Sequence, residues 1–503
     1  MEPAIQQWSG ANEAVGGWVR AVSAWAVAAG ASPPRAEVGV APGVACLDSS
    51  RRGVGQGRWT FVTARPLAIV KGRVGDVQII DGSSGRVLDR GSDPFALLQR
   101  ALDEHRGLTS EALREVPFQG GALGVFGYGC RLAVESLQAD PPARWGEPDV
   151  WWGLYDTFLA WDGLAGRGVL VSWGLRRWGG APDPGLARRR VRALAEHLDR
   201  GATSMDGRGL EVGLTPGWER ERYASAFQRI QEGIAAGELY QGCLTYPMRA
   251  ERAPEVTALA LFDGLRRWSP APYGALLATD GPVSLVSSSP ERFMRVRGGQ
   301  VTVRPMKGTR PRGRDRAEDR ALRRELERSV KDRAENIMIV DLMRNDLGRV
   351  CRLGSVQVPR IFTVESYQTV HQMTSTVQAE LKEGGHGLEA ARACFPPGSM
   401  TGAPKVQAMK LLAELEGAPR GYYAGALGWV GWGGDLELSV VIRTALVSAR
   451  EIAWHVGGGI VADSEPGAEW DESLAKCPEP LRRAVTGRGQ GSPSARGEGV
   501  GSG

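Results

Sequence analysis

Residues 304–349 constrain this chain more than any other stretch, because a helix there turns from polar to almost wholly apolar and must end inside something. The run opens with PMKGTRPRG (305–313), whose prolines and glycines predict a turn that fixes the backbone around one lysine, Lys307. Leu322, Leu326, Val330, Ala334 and Ile337 follow at spacings of four, four, four and three, which predicts one buried helical face. The sequence IMIVDLM then carries the helix into a core. Asp332 and Glu335 stand three apart at that entry, on one side of the helix. Carboxylates seldom go inside without a cation to pair with.

At 503 residues the chain is long enough for about two to four domains, or for one large intertwined unit. Its 42% hydrophobic and 24% charged residues are the composition of an ordinary globular protein. The net charge of +5 arises from 62 basic and 57 acidic residues interspersed, which speaks against a nucleic-acid or membrane partner and suits an anionic small molecule. Six cysteines lie far apart with no C-x-x-C pair, so neither a zinc site nor a disulfide framework is expected; reduced thiols in a cytoplasmic enzyme are the plain reading. Residues 15–31 end like a signal peptide, but Glu2 and Glu13 precede them and Arg20 interrupts them, so a buried helix is expected. No run reaches the roughly 18 apolar residues of a membrane span.

Residues 1–200 read as a strand-rich N-terminal unit. VACLDSS, GRWTFVTARP and DVQII predict strands joined by hairpins, followed by a helix over 94–106, a turn at PFQGGALGVFGYG (117–129), and strands in VWWGLYDTFLAWD and GVLVSW. A basic helix over 186–200 precedes a polar, glycine-rich linker at 201–217. The unit over 218–485 begins with a helix whose Tyr223, Phe227, Ile230 and Ile234 share a face and which Gly237 stops. LYQGCLTYPM, PYGALLATD, VSLVSSSPERF and GQVTVRP read as strands, the last two delivering Glu291 and then Lys307 to successive strand ends. SYQTVHQMTSTVQAEL alternates like a strand and carries His371, and GSMTGAPK (398–405) leads into a helix. GYYAGALGWVGW, LELSVVIRTALV and EIAWHVGGGIVAD predict three further strands, and a last helix from about Glu465 carries Glu469 and Glu472. Residues 486–503 read as a disordered tail.

Two helices distant in sequence thus each carry an acidic pair one turn apart, Asp332 with Glu335 and Glu469 with Glu472. Together they would offer hard oxygen ligands to one divalent ion, and few carboxylates plus water suit magnesium. Acids three apart are also common on solvated helix faces. Lys307 would be a nucleophile if burial and cations such as Arg310 or Arg312 left it neutral, and is otherwise a solvated turn lysine. An acid after proline, such as Glu291, often only begins a helix, and a strand histidine such as His371 is more often a structural hydrogen-bonder. Gly457 and Gly459 would let a ligand carboxylate approach backbone N–H groups. GVGQG (53–57) lacks the helix that a dinucleotide fingerprint needs.

In order and rough spacing, SPERF, PMKGTRPRG, KDRAENIMIVDLMRNDLGRV, GSMTGAPK, VIRTAL and GGGIVADSEPGAEWDE resemble the chorismate-utilising enzymes, the family of anthranilate synthase large subunits and aminodeoxychorismate synthase component I. The resemblance covers residues 218–476 and extends more faintly through CLDSS, GRWTFVTARP and PFQGGALGVFGYG. It implies an α+β fold: two large antiparallel sheets packed as an orthogonal sandwich, helices outside, and the N-terminal half interleaved with the catalytic half. It implies that Glu335 and Glu472 coordinate Mg2+, assisted by Asp332 and Glu469, and that the metal holds the ring carboxylate of chorismate. Arg443, Tyr423 and the backbone at Gly459 would receive the enolpyruvyl carboxylate, with Gln241, Gly308, Thr309, Ser399, Gly457 and Lys476 also at the substrate. Ser49, Arg58, Trp59, Pro272, Tyr273 and Gly274 resemble the family's tryptophan-binding effector pocket.

Two positions separate the family's chemistries. Water-adding members have a lysine base where this chain has Gln241, and anthranilate synthases read P-I-A-G-T where this chain has Pro305-Met306-Lys307-Gly308-Thr309. A lysine there resembles the para-aminating members, in which the Lys307 amine would add to C2 of chorismate while Glu291 protonates the departing C4 hydroxyl; ammonia then attacks C4 and expels the lysine. The implied product is 4-amino-4-deoxychorismate, a precursor of p-aminobenzoate and folate. His371 matches the family histidine, its role left open. Those members commonly read Y-Q-V-N-L-T, whereas Gly242 and Cys243 stand here, a weaker hydrogen-bonder at 243. No G-x-C-x-G nucleophile elbow occurs, so ammonia is expected from solution or from a separate glutamine amidotransferase subunit. The rival readings are anthranilate synthase component I, against which Lys307 discriminates, and a silent effector-binding paralogue.

Overall fold

The computed structural model describes residues 2–9, 15–50, 57–200, 210–367 and 370–482. Among the described residues, two antiparallel sheets of twelve strands each carry the fold. The first runs Ala4–Trp8, Arg167–Ser172, Thr157–Asp162, Trp59–Thr63, Ala45–Asp48, Tyr273–Leu277, Val283–Ser289, Thr444–Ser448, Glu451–Ile460, Gln241–Glu251, Thr215–Pro216, with Gly402–Ala403 also paired to Gln241–Glu251. The second runs Met306–Pro311, Val370–Glu380, Gln300–Val303, Arg292–Arg297, Leu436–Val440, Ala426–Gly431, Gly121–Phe126, Val150–Tyr155, Ala68–Arg73, Asp76–Asp81, Val87–Gly91, with Gln357–Ser366 on Val370–Glu380.

Strands from both halves of the sequence lie side by side in each sheet: Ala45–Asp48 pairs with Tyr273–Leu277, and Gly121–Phe126 with Ala426–Gly431. The units 1–200 and 218–485 therefore divide the sequence but not the core. Of the expected linker, 201–209 lie outside the described residues, while Thr215–Pro216 forms an edge strand against Arg249 and Met248. The expected tail at 486–503 also lies outside them.

Apolar side chains form three layers. Phe61, Trp151, Phe158, Leu427 and Leu446, drawn from both sheets, fill the space between them. The other face of the first sheet is covered by helices Val15–Ala28, Pro184–Asp199, Arg220–Ala235 and Ala258–Trp268, through residues such as Trp18, Leu194, Phe227 and Phe262. The second sheet is covered by Pro94–Asp103, Val330–Val350 and Gly387–Cys394, through Phe95, Val340 and Leu388. Each such side chain contributes about 1.5–3 kcal/mol on burial. The segment resembling a signal peptide is the buried helix Val15–Ala28, and among the described residues no helix is long and apolar enough to cross a membrane.

Four local expectations need correction. The single helix after residue 313 is two, Arg316–Arg328 and Val330–Val350, broken at Ser329, whose extended backbone lets its Oγ accept from Asp332 N at 3.2 Å as an N-cap. The expected apolar face is buried only in part: Leu326 is fully buried against Val364 and Met373, but Val330 is 82% and Ile337 41% exposed, while Asn336, Ile339, Val340, Met343, Asp346 and Leu347 go inside. The turns expected at 117–129 and 305–313 contain the strands Gly121–Phe126 and Met306–Pro311, because glycine there admits close neighbours without ending the pairing. LELSVVIRTALV is two strands in different sheets, Leu436–Val440 and Thr444–Ser448, separated at Arg443, whose φ of 49° breaks the extended run.

That last break positions the site. Val283–Ser289 and Arg292–Arg297 likewise belong to different sheets, and the chain crosses between them at Pro290, which has no N–H for a ladder, and Glu291. The two crossings are stitched together: Val440 N donates to Glu291 O and Ser288 N to Arg443 O, each at 3.0 Å.

Candidate active site

Glu291 is 8% exposed. It accepts a hydrogen bond from the Ser399 hydroxyl and lies in the field of Lys307 and Arg443. Burial is the largest influence on its carboxyl and pushes it up to about 7, against the opposing pull of Ser399, Lys307 and Arg443. Near neutral pH such a group can both give and take a proton.

Lys307 enters from the edge strand Met306–Pro311, where Gly308 has a φ of 76° and the register with Val370–Glu380 shifts. Its Nζ stands 3.6 Å from Glu335 Oε2. A Cβ at position 459 would lie 3.2 Å from Lys307 Nζ and 2.7 Å from Gln241 Nε2, so Gly459 is the residue that lets both side chains reach the same point. Gln241 is fully buried, and neither its Nε2 nor its Oε1 has a partner among the described residues. Arg310 and Arg312, expected beside Lys307, turn elsewhere: Arg310 to Glu325 and Asp332, Arg312 to Asp319. The neighbours of Lys307 are carboxylates.

The two acidic helices come together, and lysines come with them. Burial pushes Glu335 above the usual carboxylate range, Lys307 and Lys331 opposing it and Asp332 and Glu469 adding to it. Partial desolvation acts upward on Glu472, whose side chain is 64% exposed, but Lys476, followed by Lys331 and Lys307, holds it below that range. Lys476 Nζ is 3.0 Å from Glu472 Oε1 and donates to Gly457 O at 2.8 Å. Lys331 Nζ is 3.5 Å from Glu469 Oε1, which also accepts from Ser464 Oγ at 2.6 Å. Asp332 is held by Arg310 at 3.1 Å. These are hard carboxylate oxygens of the kind magnesium takes, so the donor chemistry fits that ion. As placed, each is turned to a cation, and no three His, Cys, Asp or Glu side chains among the described residues converge as a metal cage.

Of the other expected residues, Thr309 and His371 are engaged away from this cluster, while Cys243 lies opposite Gly459 across the paired strands. Thr309 is exposed and its Oγ1 donates to Gln372 Oε1 at 2.9 Å. His371 is fully buried with Nδ1 2.8 Å from Ser366 Oγ and Nε2 3.1 Å from Asp319 Oδ1, so both ring nitrogens are engaged outside it. Tyr423 stacks on His455 at 4.8 Å, and burial pushes its hydroxyl well up. Cys243 is buried with its thiol pushed up by burial, against Arg420, Lys307 and Lys476. Ser49, Arg58, Trp59, Pro272, Tyr273 and Gly274 all line one cavity of about 350 Å³, to which Arg295, Arg297, Trp429 and Glu437 also belong. Ser49 Oγ bonds Trp59 O and Pro272 O at 3.1 Å, tying the two segments together.

Sequence reasoning passed over Lys331 and the pair Glu416–Arg420. Lys331 had a legible signal, a base in the first turn of a helix where acids are favoured. Arg420 had none. It is 3% exposed and donates to both Glu416 oxygens, to Met400 O and to Cys243 O.

The profile of the chorismate binding enzymes matches residues 58–482. The chain belongs to that family. Among other chorismate binding enzymes, the chain is 48% identical over 265 residues to "Aminodeoxychorismate synthase" of Streptomyces griseus, covering 52% of this chain and 36% of that one. It therefore spans about a third of the length of that relative. It is 37% identical to "Aminodeoxychorismate synthase component 1" of Klebsiella aerogenes, covering 83% of this chain and 88% of that one. To "Anthranilate synthase component 1" of Pseudomonas aeruginosa it is 35% identical, covering 87% and 89%. The structure of anthranilate synthase component I from Streptococcus pneumoniae TIGR4 superposes with a TM-score of 0.74 at 27% identity, covering 85% of this chain and 92% of that one. This chorismate binding enzyme shares that α+β architecture of two large antiparallel sheets.

Proposed function

We propose that the chain aminates chorismate at C4, as component I of an aminodeoxychorismate synthase. The observation that carries this reading is Lys307, a side-chain amine between carboxylates at the place where two strands change sheets. Glu291, with its carboxyl pushed up to about 7, holds a proton it can give near neutral pH. The Lys307 amine forms a bond to ring C2 as the double bond shifts and the C4–O bond breaks, and Glu291 gives the departing hydroxyl its proton, so that water leaves. Ammonia then bonds to C4, the double bond shifts back, the C2–N bond breaks and Lys307 is restored, while the proton shed by the new C4 nitrogen returns to Glu291. Arg443 and the backbone beside Gly459 hold the enolpyruvyl carboxylate, which stays on the product. Magnesium on Glu335 and Glu472, with Glu469 and Asp332 assisting, would supply a fixed dication for the ring carboxylate. A glutamine amidotransferase subunit would deliver the ammonia, and the product would feed p-aminobenzoate and folate. The 350 Å³ cavity would take tryptophan as an effector.

The second reading is anthranilate synthase component I, favoured by relatives of that name at similar identity. Purified chain incubated with chorismate, Mg2+ and ammonium separates the two. The first reading expects p-aminobenzoate only after a lyase is added; anthranilate formed without the lyase would overturn it.

A further inference from the structure

The outer halves of strands Gln241–Glu251 and Glu451–Ile460 lead away from Lys307 to a second cleft of about 200 Å³. Trp145 and Trp218 give it apolar walls, and four arginines line it: Arg144, Arg222, Arg249 and Arg420. Two of these charges are spent. Arg144 is paired to Glu451 by two bonds of 2.8 Å, and Arg420 binds both oxygens of Glu416, whose carboxylate also accepts from Thr245 N and Oγ1.

Among the described residues the other two make no ion pair with an acid. Among the described residues the Arg249 guanidinium has neither ion pair nor hydrogen bond, and its Nε is buried without a partner. Burial and then Arg144 hold Arg249 below its usual range, Glu451 opposing. Arg222 lies over Trp218 at 4.2 Å and donates only to a backbone oxygen, Glu416 O, at 3.3 Å. Glu147, the remaining carboxyl of the lining, accepts from Trp145 N at 3.1 Å, and burial pushes it up, which weakens its negative charge. His455, stacked on Tyr423, faces the same space; burial, then Arg249 and Arg420, push it down to about 3, leaving a neutral ring. Arg222 is exposed and keeps its water, but the half-buried Arg249, with its Nε out of water and unmatched, is costly unless something anionic joins it.

We infer that this cleft is an anion site, taking a small oxyanion, a carboxylate or a phosphate, between Arg249 and Arg222 with the His455 ring as its hydrogen-bonding wall. A guanidinium fork matches two oxygens of either group. The inference is independent of the chemistry proposed at Lys307.

Isothermal titration of the full chain with sodium benzoate and, separately, sodium phosphate, at constant ionic strength in chloride, tests it. Saturable one-site binding of at least one of them is expected, and which one binds shows whether the site reads carboxylate or phosphate. Arg249→Gln should weaken that binding by about tenfold or more, with the circular dichroism spectrum retained; Arg222→Gln should weaken it too and carries the test if Arg249→Gln does not fold. Arg443→Gln, which removes a cation of the candidate active site, should leave it unchanged. No saturable binding of either anion, or binding lost in Arg443→Gln and kept in Arg249→Gln, would overturn the assignment.

Discussion

Lys307 Nζ stands 3.6 Å from Glu335 Oε2, with both side chains 12% exposed. The amine proposed as nucleophile is thus already in contact with a carboxylate proposed as metal ligand, and the two functions share one partly desolvated space. Replacing Lys307 touches both the covalent step and the charge balance around Glu335.

Lys307→Ala should lower ammonium-dependent turnover by about 10² or more, the scale of removing a positioned catalytic group. Chorismate without ammonia should add its mass less one water to the intact wild-type chain, and nothing to the variant. Intact-mass spectrometry reads this directly. Undiminished turnover of the variant at low ammonium would remove the covalent step.

Glu291 has a folded-state pKa raised from 4.5 to about 7. The native chain therefore holds this proton over a range where the unfolded chain has lost it, and stability falls as pH rises from about 4.5 through about 7, by on the order of 3 kcal/mol in total. Glu291→Gln, which cannot ionise, should be more stable than wild type at pH 8, the difference shrinking toward pH 4.5. Urea unfolding at the two ends of that window measures it. As a general acid, Glu291 should also give kcat/KM a limb that falls above about 7; a flat profile there would remove it from the chemistry.

Much of this arrangement was readable before any coordinates. The acidic pairs, Lys307, Glu291 and the alternating strands stand in local patterns that a linear sequence displays. What was hidden depends on contacts between distant segments. The buried face of Val330–Val350 differs from the apolar period because its core side also carries Asn336 and Asp346, with Ser375 Oγ donating to Asn336 and Lys405 Nζ to Asp346 at 2.7 Å. The break at Arg443 was hidden because VVIRTAL reads as one strand, and only pairing with two different sheets divides it. Thr309 stood in the motif beside Lys307 and regular alternation would put both on one face, yet it turns outward, because Gly308 with a φ of 76° and the register shift between Met306 and Thr309 interrupt that alternation.

Lys331 and Glu469 lie 3.5 Å apart at the place where a metal would draw carboxylates together. A lysine there neutralises a ligand, so it should compete with the ion. Calorimetric titration with Mg2+ is expected to show saturable binding that Glu472→Gln weakens and Lys331→Met tightens severalfold, the latter gain fading with salt because Lys331 is 42% exposed. Equal affinity in all three chains would place the metal elsewhere.

Arg420 and Glu416 tie together parts of the chain that backbone bonds also join, Cys243 N donating to Thr401 O at 2.8 Å and Tyr128 N to Gly421 O at 2.9 Å. The guanidinium lies over the Tyr128 ring at 4.6 Å and reaches Met400 O at 2.7 Å and Cys243 O at 2.9 Å, while Glu416 satisfies Thr245 N at 3.0 Å. Desolvating two charges yields little net stability, but removing one leaves the other buried and unmatched. Arg420→Met should therefore destabilise the chain by about 3–5 kcal/mol. Glu416→Leu together with Arg420→Met should recover part of that loss, although Thr245 N then lacks its acceptor. Urea unfolding of the wild type, the single variant and the double variant decides it. A single-variant loss below about 1 kcal/mol would mean that solvent reaches the pair and screens it as it screens a surface ion pair.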